Sequence, residues 1–292
     1  MRLILDLRIA EDWAEKHLGP NVGKRMSQGP GFPVVTRQVV LDADDPSIEE
    51  IKQKVIASER WGESLFCFVN MDFEYQKEEL AGACLLRLRP MVLLRTYSER
   101  YSTVYDDTNA CAKCGAGRVQ RSPLVIDPRY LKKKTTDFMV TITADEWIVS
   151  ARLANLLGQL CSHDCTLEPI YDLRGEKMGD WFQLKVHKVF GLAVPPTKFG
   201  LDYFHQQDRK GEYVCPEHWL SGLNLLSELY MTPENENDLF PTLSITKNRV
   251  GRKAGWIVPA PFLLITRRLA DALLGNNIRG FGLDVVHVEG IG

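Results

Sequence analysis

The chain has 292 residues, 45% apolar and 25% charged, with a formal net charge of -2. That is enough for one large or two ordinary domains with a substantial core. The near-neutral balance excludes a general basic field for nucleic acid, and no stretch approaches the ~18 uncharged apolar residues of a membrane-spanning helix.

The opening Met1-Arg2-Leu3-Ile4-Leu5-Asp6-Leu7-Arg8 reads as a strand. It lacks the apolar run and small-residue cleavage site of a secretory signal, so a cytoplasmic protein is expected. Residues 11–36 are rich in Gly and Pro, with a short helix expected at Asp12–His17. Ile48, Ile51 and Val55 then recur at helical spacing, and Ser47 with Glu50 matches a capping box. Leu65–Met71, Ala83–Arg89 and Met91–Thr96 are strand candidates. Residues 1–104 are read as an N-terminal α+β region and 105–292 as a second region built around metal-binding cysteines.

Cys111-Ala112-Lys113-Cys114-Gly115 sets two thiols three positions apart before a Gly that lets the chain turn. Such a knuckle grips one face of a soft metal ion, and a structural zinc needs four ligands. The best complement is Cys215-Pro216-Glu217-His218, so the expected site is a closed Zn site of Cys111, Cys114, Cys215 and His218. Cys161-Ser162-His163-Asp164-Cys165 is the rival cluster, although its C-x3-C spacing also fits two ordinary thiols around a turn. Cys67 and Cys84 sit in apolar runs and read as core thiols. An odd cysteine count of seven with a C-x2-C unit favours metal-binding thiols over a disulfide framework. A redox dithiol at Cys111/Cys114 is disfavoured because Gly115-Ala116-Gly117 argues for a loop and not a helix start.

Residues 118–134 carry Arg118, Arg121, Arg129 and Lys132–Lys134. They read as a solvated face beside the thiolates, with nucleic-acid contact as the alternative; Tyr130 is the sole aromatic there. The sequence has no phosphate-binding Gly loop, dinucleotide fingerprint, H-E-x-x-H or G-x-S-x-G motif. A binding protein is therefore expected before an enzyme, a metal-dependent enzyme being the further alternative.

A short internal repeat follows. Trp147–Ala154 is echoed by Leu263–Ala270: three apolar residues end at a hydroxyl, and Arg-Leu-Ala opens a run with Leu at helical spacing. Each predicts strand, N-cap at Ser150 or Thr266, helix and second strand, the latter at Thr166–Tyr171 and Phe281–Val288. Leu153, Leu157, Leu269 and Leu273 should face the sheet. Trp181–Val189 and Leu239–Ile245 read as further strands, with Thr232–Asp238 a surface loop. The expected class is α+β, with two strand–helix–strand units (138–171 and 260–288) on mixed or antiparallel sheet, linked by the zinc knuckles.

With its first knuckle, its Cys215-Pro216 start of a second and an α/β unit after each, the chain resembles the double-CXXCG motif proteins. These are abundant in myxobacteria and regarded as immunity proteins against contact-delivered polymorphic toxins. Cys111, Cys114 and Gly115 match the first motif; Cys215 and Pro216 open the second, with His218 at its second-cysteine position and Trp219 where Gly would stand. The likeness covers roughly residues 105–289. It implies a cytoplasmic protein that blocks one cognate protein toxin by stoichiometric occlusion, with no catalytic residues, no nucleic acid and no membrane partner.

Overall fold

The protein is described by a computed structural model covering residues 1–27, 35–59, 66–131, 135–143, 145–200, 202–204, 215, 224–233, 240–251, 253, 255 and 257–290. It divides into two units, Met1–Glu79 with Gly200–Gln207, and Leu80–Phe199 with Asp208–Gly292.

The first unit runs β1 (Arg2–Ala10), α1 (Glu11–Leu18), β2 (Lys24–Met26), β3 (Thr36–Asp42), α2 (Ser47–Glu59) and β4 (Phe66–Glu74). Its antiparallel sheet has the order β2-β3-β1-β4, the split β-α-β-β-α-β path of ferredoxin-like folds. The period-two pattern of β1 decides which face is inside: Leu5, Leu7 and Ile9 are fully buried against Ala14, Ile48 and Ile51. Arg37 is buried by pairing with Glu11 (Nη2 to Oε1 2.5 Å) and donating to the Gly19 carbonyl at 2.6 Å. The expected capping box at Ser47 is replaced by an Asp cap. Asp45 Oδ1 accepts both the Ser47 amide (2.9 Å) and its hydroxyl (2.6 Å), while Glu50 turns to Lys54. An ionised carboxylate two residues earlier outcompetes a neutral hydroxyl at the positive end of the helix.

The second unit begins within α3 (Lys77–Gly82) and continues through β5 (Leu85–Pro90), β6 (Leu93–Leu94), β7 (Tyr105–Asp106), β8 (Val119–Gln120), β9 (Phe138–Thr141) and β10 (Trp147–Ser150). There follow α4 (Ala151–Leu160), β11 (Cys165–Tyr171), β12 (Lys177–Val186), β13 (Leu192–Ala193), β14 (Phe199–Gly200) and β15 (Asn224–Leu225). The last elements are β16 (Leu229–Thr232), β17 (Leu243–Val250), β18 (Ala260–Thr266), α5 (Arg267–Gly275) and β19 (Phe281–Val288). The break expected at 104/105 thus falls earlier, because β5 lies inside this unit's larger sheet, between β18 and β19.

The repeat extends well beyond its sequence echo. One sheet has the order β11-β12-β10-β9-β6, with a parallel bridge from Val125 to Tyr171 on the β11 edge. The other contains β16-β19-β5-β18-β17, with a parallel bridge from Val189 to Ile245 on the β17 edge. Position by position the two are equivalent, and each is mixed. In both, the strands flanking the helix run alike with an antiparallel strand between them: β12 in the first, β5 in the second. Register agrees too. Val149 pairs Phe138 as Ile265 pairs Leu243, and Cys165 pairs Val186 as Phe281 pairs Pro90. The apolar layers correspond: Leu94, Leu124, Ile126, Ile148 and Ile170 in one half match Phe190, Leu229, Met231, Leu264 and Val286 in the other.

The halves are also threaded through each other. The chain leaves β5 of one sheet for β6 of the other, and leaves β12 for the Val189 bridge on the opposite sheet. Each loop after a helix receives the first amide of the other half's hairpin: Phe138 N donates to Arg279 O (3.1 Å), and Leu243 N to Asp164 Oδ2 (3.0 Å). The Ser150 cap forms, its Oγ accepting Leu153 N at 3.3 Å, whereas Thr266 makes no side-chain cap bond. Leu153, Leu157, Leu269 and Leu273 are buried as expected. The strand expected at Trp181–Val189 is β12, displaced toward the N-terminus; residues 234–239 lie outside the described residues.

Candidate metal centre

Each half makes one long excursion at the same point, after its edge strand and before the segment that returns on the opposite edge. The first excursion, residues 95–123, carries Cys111 and Cys114; the second leaves after β13, which pairs with β16 at the edge of the larger sheet, and carries Cys215.

The first knuckle is the tip of the short β7–β8 hairpin, in which Tyr105 pairs Gln120 and Asp106 pairs Val119. Cys111 N donates to Ala116 O (2.8 Å) and Gly115 N to Cys111 O (2.7 Å), closing a tight loop. Gly115 has φ of +75°, and a Cβ there would come within 2.9 Å of Val258 Cγ1, so Gly is needed twice over. Lys253 Nζ donates to Ala112 O at 3.2 Å, holding the β17–β18 turn to the knuckle.

Below the knuckle, Arg118 donates from its backbone to Gly115 O at 3.2 Å. Its guanidinium lies 3.8 Å over the Tyr105 ring and pairs with Glu99 (2.6 Å) and Asp107 (3.2 Å). Tyr105 Oη and Ser98 Oγ both donate to Glu146 Oε1, and Thr141 Oγ1 donates to Glu146 Oε2 at 2.6 Å. Burial, with the Glu146 charge beside it, pushes the Tyr105 phenol well above its ordinary range and keeps it a donor. A reciprocal amide pair between Gln120 and Gln183 (3.1 and 2.8 Å) ties the hairpin stem to β12. None of this network was visible in the sequence, because its members are scattered and follow no spacing rule.

The structure brings Cys111, Cys114 and Cys215 together: their sulfurs all lie within 4.8 Å of one another. Cys111 Sγ is 3.8 Å from Cys215 Sγ. Two thiolates on one tetrahedral zinc, each at ~2.3 Å, stand about 3.8 Å apart. Cys114 and Cys215 are 5% and 1% exposed, and Ala116 N donates to Cys114 Sγ at 3.4 Å. Burial pushes the Cys114 thiol up to about 12, with Cys111 and Cys215 adding to the shift. Three thiolates this close need a cation among them. The donor set suits a soft divalent ion. His218, expected as fourth ligand, lies outside the described residues, as do Pro216 and Glu217.

The rival cluster forms no such group. Cys161 Sγ donates to Leu157 O (3.3 Å), Cys165 Sγ to Cys161 O (3.5 Å), and His163 is exposed. Cys84, expected in the core, is exposed; its strand starts one residue later and its carbonyl receives Arg267 N. The side chain of Cys67 lies outside the described residues.

The arginines of the basic stretch are engaged. Arg118 pairs with Glu99 and Asp107, Arg121 with Asp106 at 2.7 Å, and Arg129 with Asp127 at 2.6 Å. Lys132–Lys134 lie outside the described residues. No described helix is long and apolar enough to cross a membrane. No family model and no curated protein matches the chain.

Proposed function

We propose that the second unit carries a structural zinc, held by Cys111, Cys114, Cys215 and His218, which bolts its two interlocked halves together. The observation that supports this reading is the 3.8 Å separation of Cys111 and Cys215, thiols contributed by equivalent excursions of the two halves. A four-ligand shell has no open coordination position and so stabilises a surface without catalysing a reaction. The C-x2-H spacing puts His218 in the place that Cys114 takes in the first knuckle.

On this scaffold the protein works as a cytoplasmic binding protein, an immunity protein that occludes one cognate toxin stoichiometrically. The partner class comes from the resemblance of the knuckles to the double-CXXCG proteins, and the paired state of Arg118, Arg121 and Arg129 weighs against nucleic acid. Occlusion calls for an interface of roughly 1,600 Å² with complementary charge. Two measurements test the two levels separately. Metal analysis should find close to one zinc per chain, lost in C111S and C215S and kept in C161S; full zinc in C215S ends the proposed pairing. Co-expression with the product of the adjacent reading frame should rescue growth and yield a 1:1 complex. A harmless neighbour, or rescue with no isolable complex, rules out occlusion.

A further inference from the structure

Of the three clustered thiols, only Cys111 is partly open to solvent; Cys114 and Cys215 are buried. Cys114 is further restrained by the Ala116 amide on its sulfur, which draws down the electron density a nucleophile needs. Cys111 Sγ already stands 3.8 Å from Cys215 Sγ, on the other excursion. A disulfide requires ~2.05 Å, so the gap closes by a shift of under about 2 Å shared by two side chains.

We propose that the centre is a hydroperoxide-responsive switch, in which Cys111 is oxidised first and Cys215 resolves it into a disulfide that expels the metal. The proposal rests on the zinc reading above. The Cys111 thiolate attacks one peroxide oxygen, the O–O bond breaks, and hydroxide leaves to take a proton from solvent. The resulting sulfenic acid is attacked by the Cys215 thiolate; the S–O bond breaks, the S–S bond forms, and the hydroxyl departs as water with a second solvent proton. The peroxide gains two electrons, one from each sulfur. With Cys111 and Cys215 joined, two of the four residues that would hold a zinc would no longer be available to it, while the new bond keeps the two excursions fastened to each other. The switch therefore exchanges a metal bolt for a covalent one and frees Cys114.

The test uses the zinc-loaded full chain carrying C84S, which removes the one exposed thiol outside the site among the described residues. Substoichiometric hydrogen peroxide is added with a chromophoric zinc chelator present, and non-reduced digests are mapped by mass spectrometry. The expected result is one zinc released per disulfide, the disulfide linking Cys111 to Cys215, and dimedone, when present, trapped on Cys111. C161S, which keeps its zinc and lies outside the site, should release it at the parent's rate, and a slower release there would place the first oxidation at Cys161 and overturn the switch. The disulfide map of the parent decides between the cysteine pairs. A Cys111–Cys114 disulfide, dimedone on Cys114 first, or zinc retained while peroxide is consumed overturns the switch and leaves the zinc reading intact. A chain that neither carries nor takes up zinc overturns both.

Discussion

Glu146 is 1% exposed and collects hydroxyl donors from Ser98, Tyr105 and Thr141. A buried carboxylate survives only when hydrogen bonds replace its hydration, so each donor is part of the condition for folding. Replacing Glu146 with Leu strands three hydroxyls and should cost at least about 3 kcal/mol, whereas Y105F, which keeps the ring beneath Arg118, should cost about 1–2 kcal/mol. Urea melts would measure both; a Y105F loss near zero would mean that the ring packing, and not the hydroxyl, matters. Its neighbour Asp145 behaves oppositely. Burial, then the Glu146 charge, raise the Asp145 carboxyl to about 6 against the relief given by Arg249 and Arg118. The folded state therefore holds this proton more tightly than the unfolded chain, whose value is ~3.9. Its stabilising effect is full below about pH 4 and is lost as pH rises through about 6. D145N should thus stabilise at pH 7 by up to about 2 kcal/mol, an upper bound because a quarter of the side chain meets solvent, and should flatten the pH 4–6 slope. Thermal melts across that window check it, and an unchanged slope contradicts it.

At the scale of elements, the strand–helix–strand units were legible because local signals agree: Leu at helical spacing, a hydroxyl before it, an apolar run on either side. What local signals could not carry is the strand that slots between each pair. For α4 it follows directly as β12; for α5 it is β5, from the far end of the unit, and nothing in Leu85–Pro90 announces a partner near the C-terminus. The same blindness moved the expected boundary to 104/105. The metal knuckle was readable, since two thiols and a Gly at fixed spacing encode their own geometry; the Glu146 network was not. One element-scale consequence concerns glycines. Gly280 has φ of +99°, and a Cβ there would collide with Thr136 Oγ1 and meet Phe138 O at 2.5 Å, the backbone junction of the two halves. Gly158 lies inside α4 with nothing within 4 Å of its added Cβ. G280A should destabilise by about 2 kcal/mol or more, while G158A should stabilise by about 0.5–1 kcal/mol. Guanidinium midpoints that moved the same way would refute the assignment of Gly280 as a junction residue.

Over the whole molecule, the two halves are joined in two physically different ways. Threading is permanent: β5 and β12 cannot leave their sheets without unfolding them, and Phe138 and Leu243 lock each hairpin to the opposite loop. On the zinc reading the knuckles are conditional, since the first excursion meets the second through the sulfurs of Cys111, Cys114 and Cys215 at the site proposed to hold the metal. Metal binding at structural zinc sites is worth on the order of 10 kcal/mol, and a zinc held by these cysteines would act mainly on segments outside the two sheets. Removing zinc with a strong chelator should therefore release the excursions before the sheets. Hydrogen exchange should rise first in residues 95–123 and in 194–199, while β10, β12, β5, β18 and β13 keep their protection until global unfolding. Ser98, Tyr105 and Arg118 should hold the base of the first excursion longer than its tip at Cys111–Gly115, because the Glu146 bonds do not depend on the metal. A simultaneous loss of protection in excursions and sheets would show instead that the metal supports the entire second unit. Exchange unchanged on chelation, in protein shown to have lost its zinc, would leave the ion with no part in joining the halves.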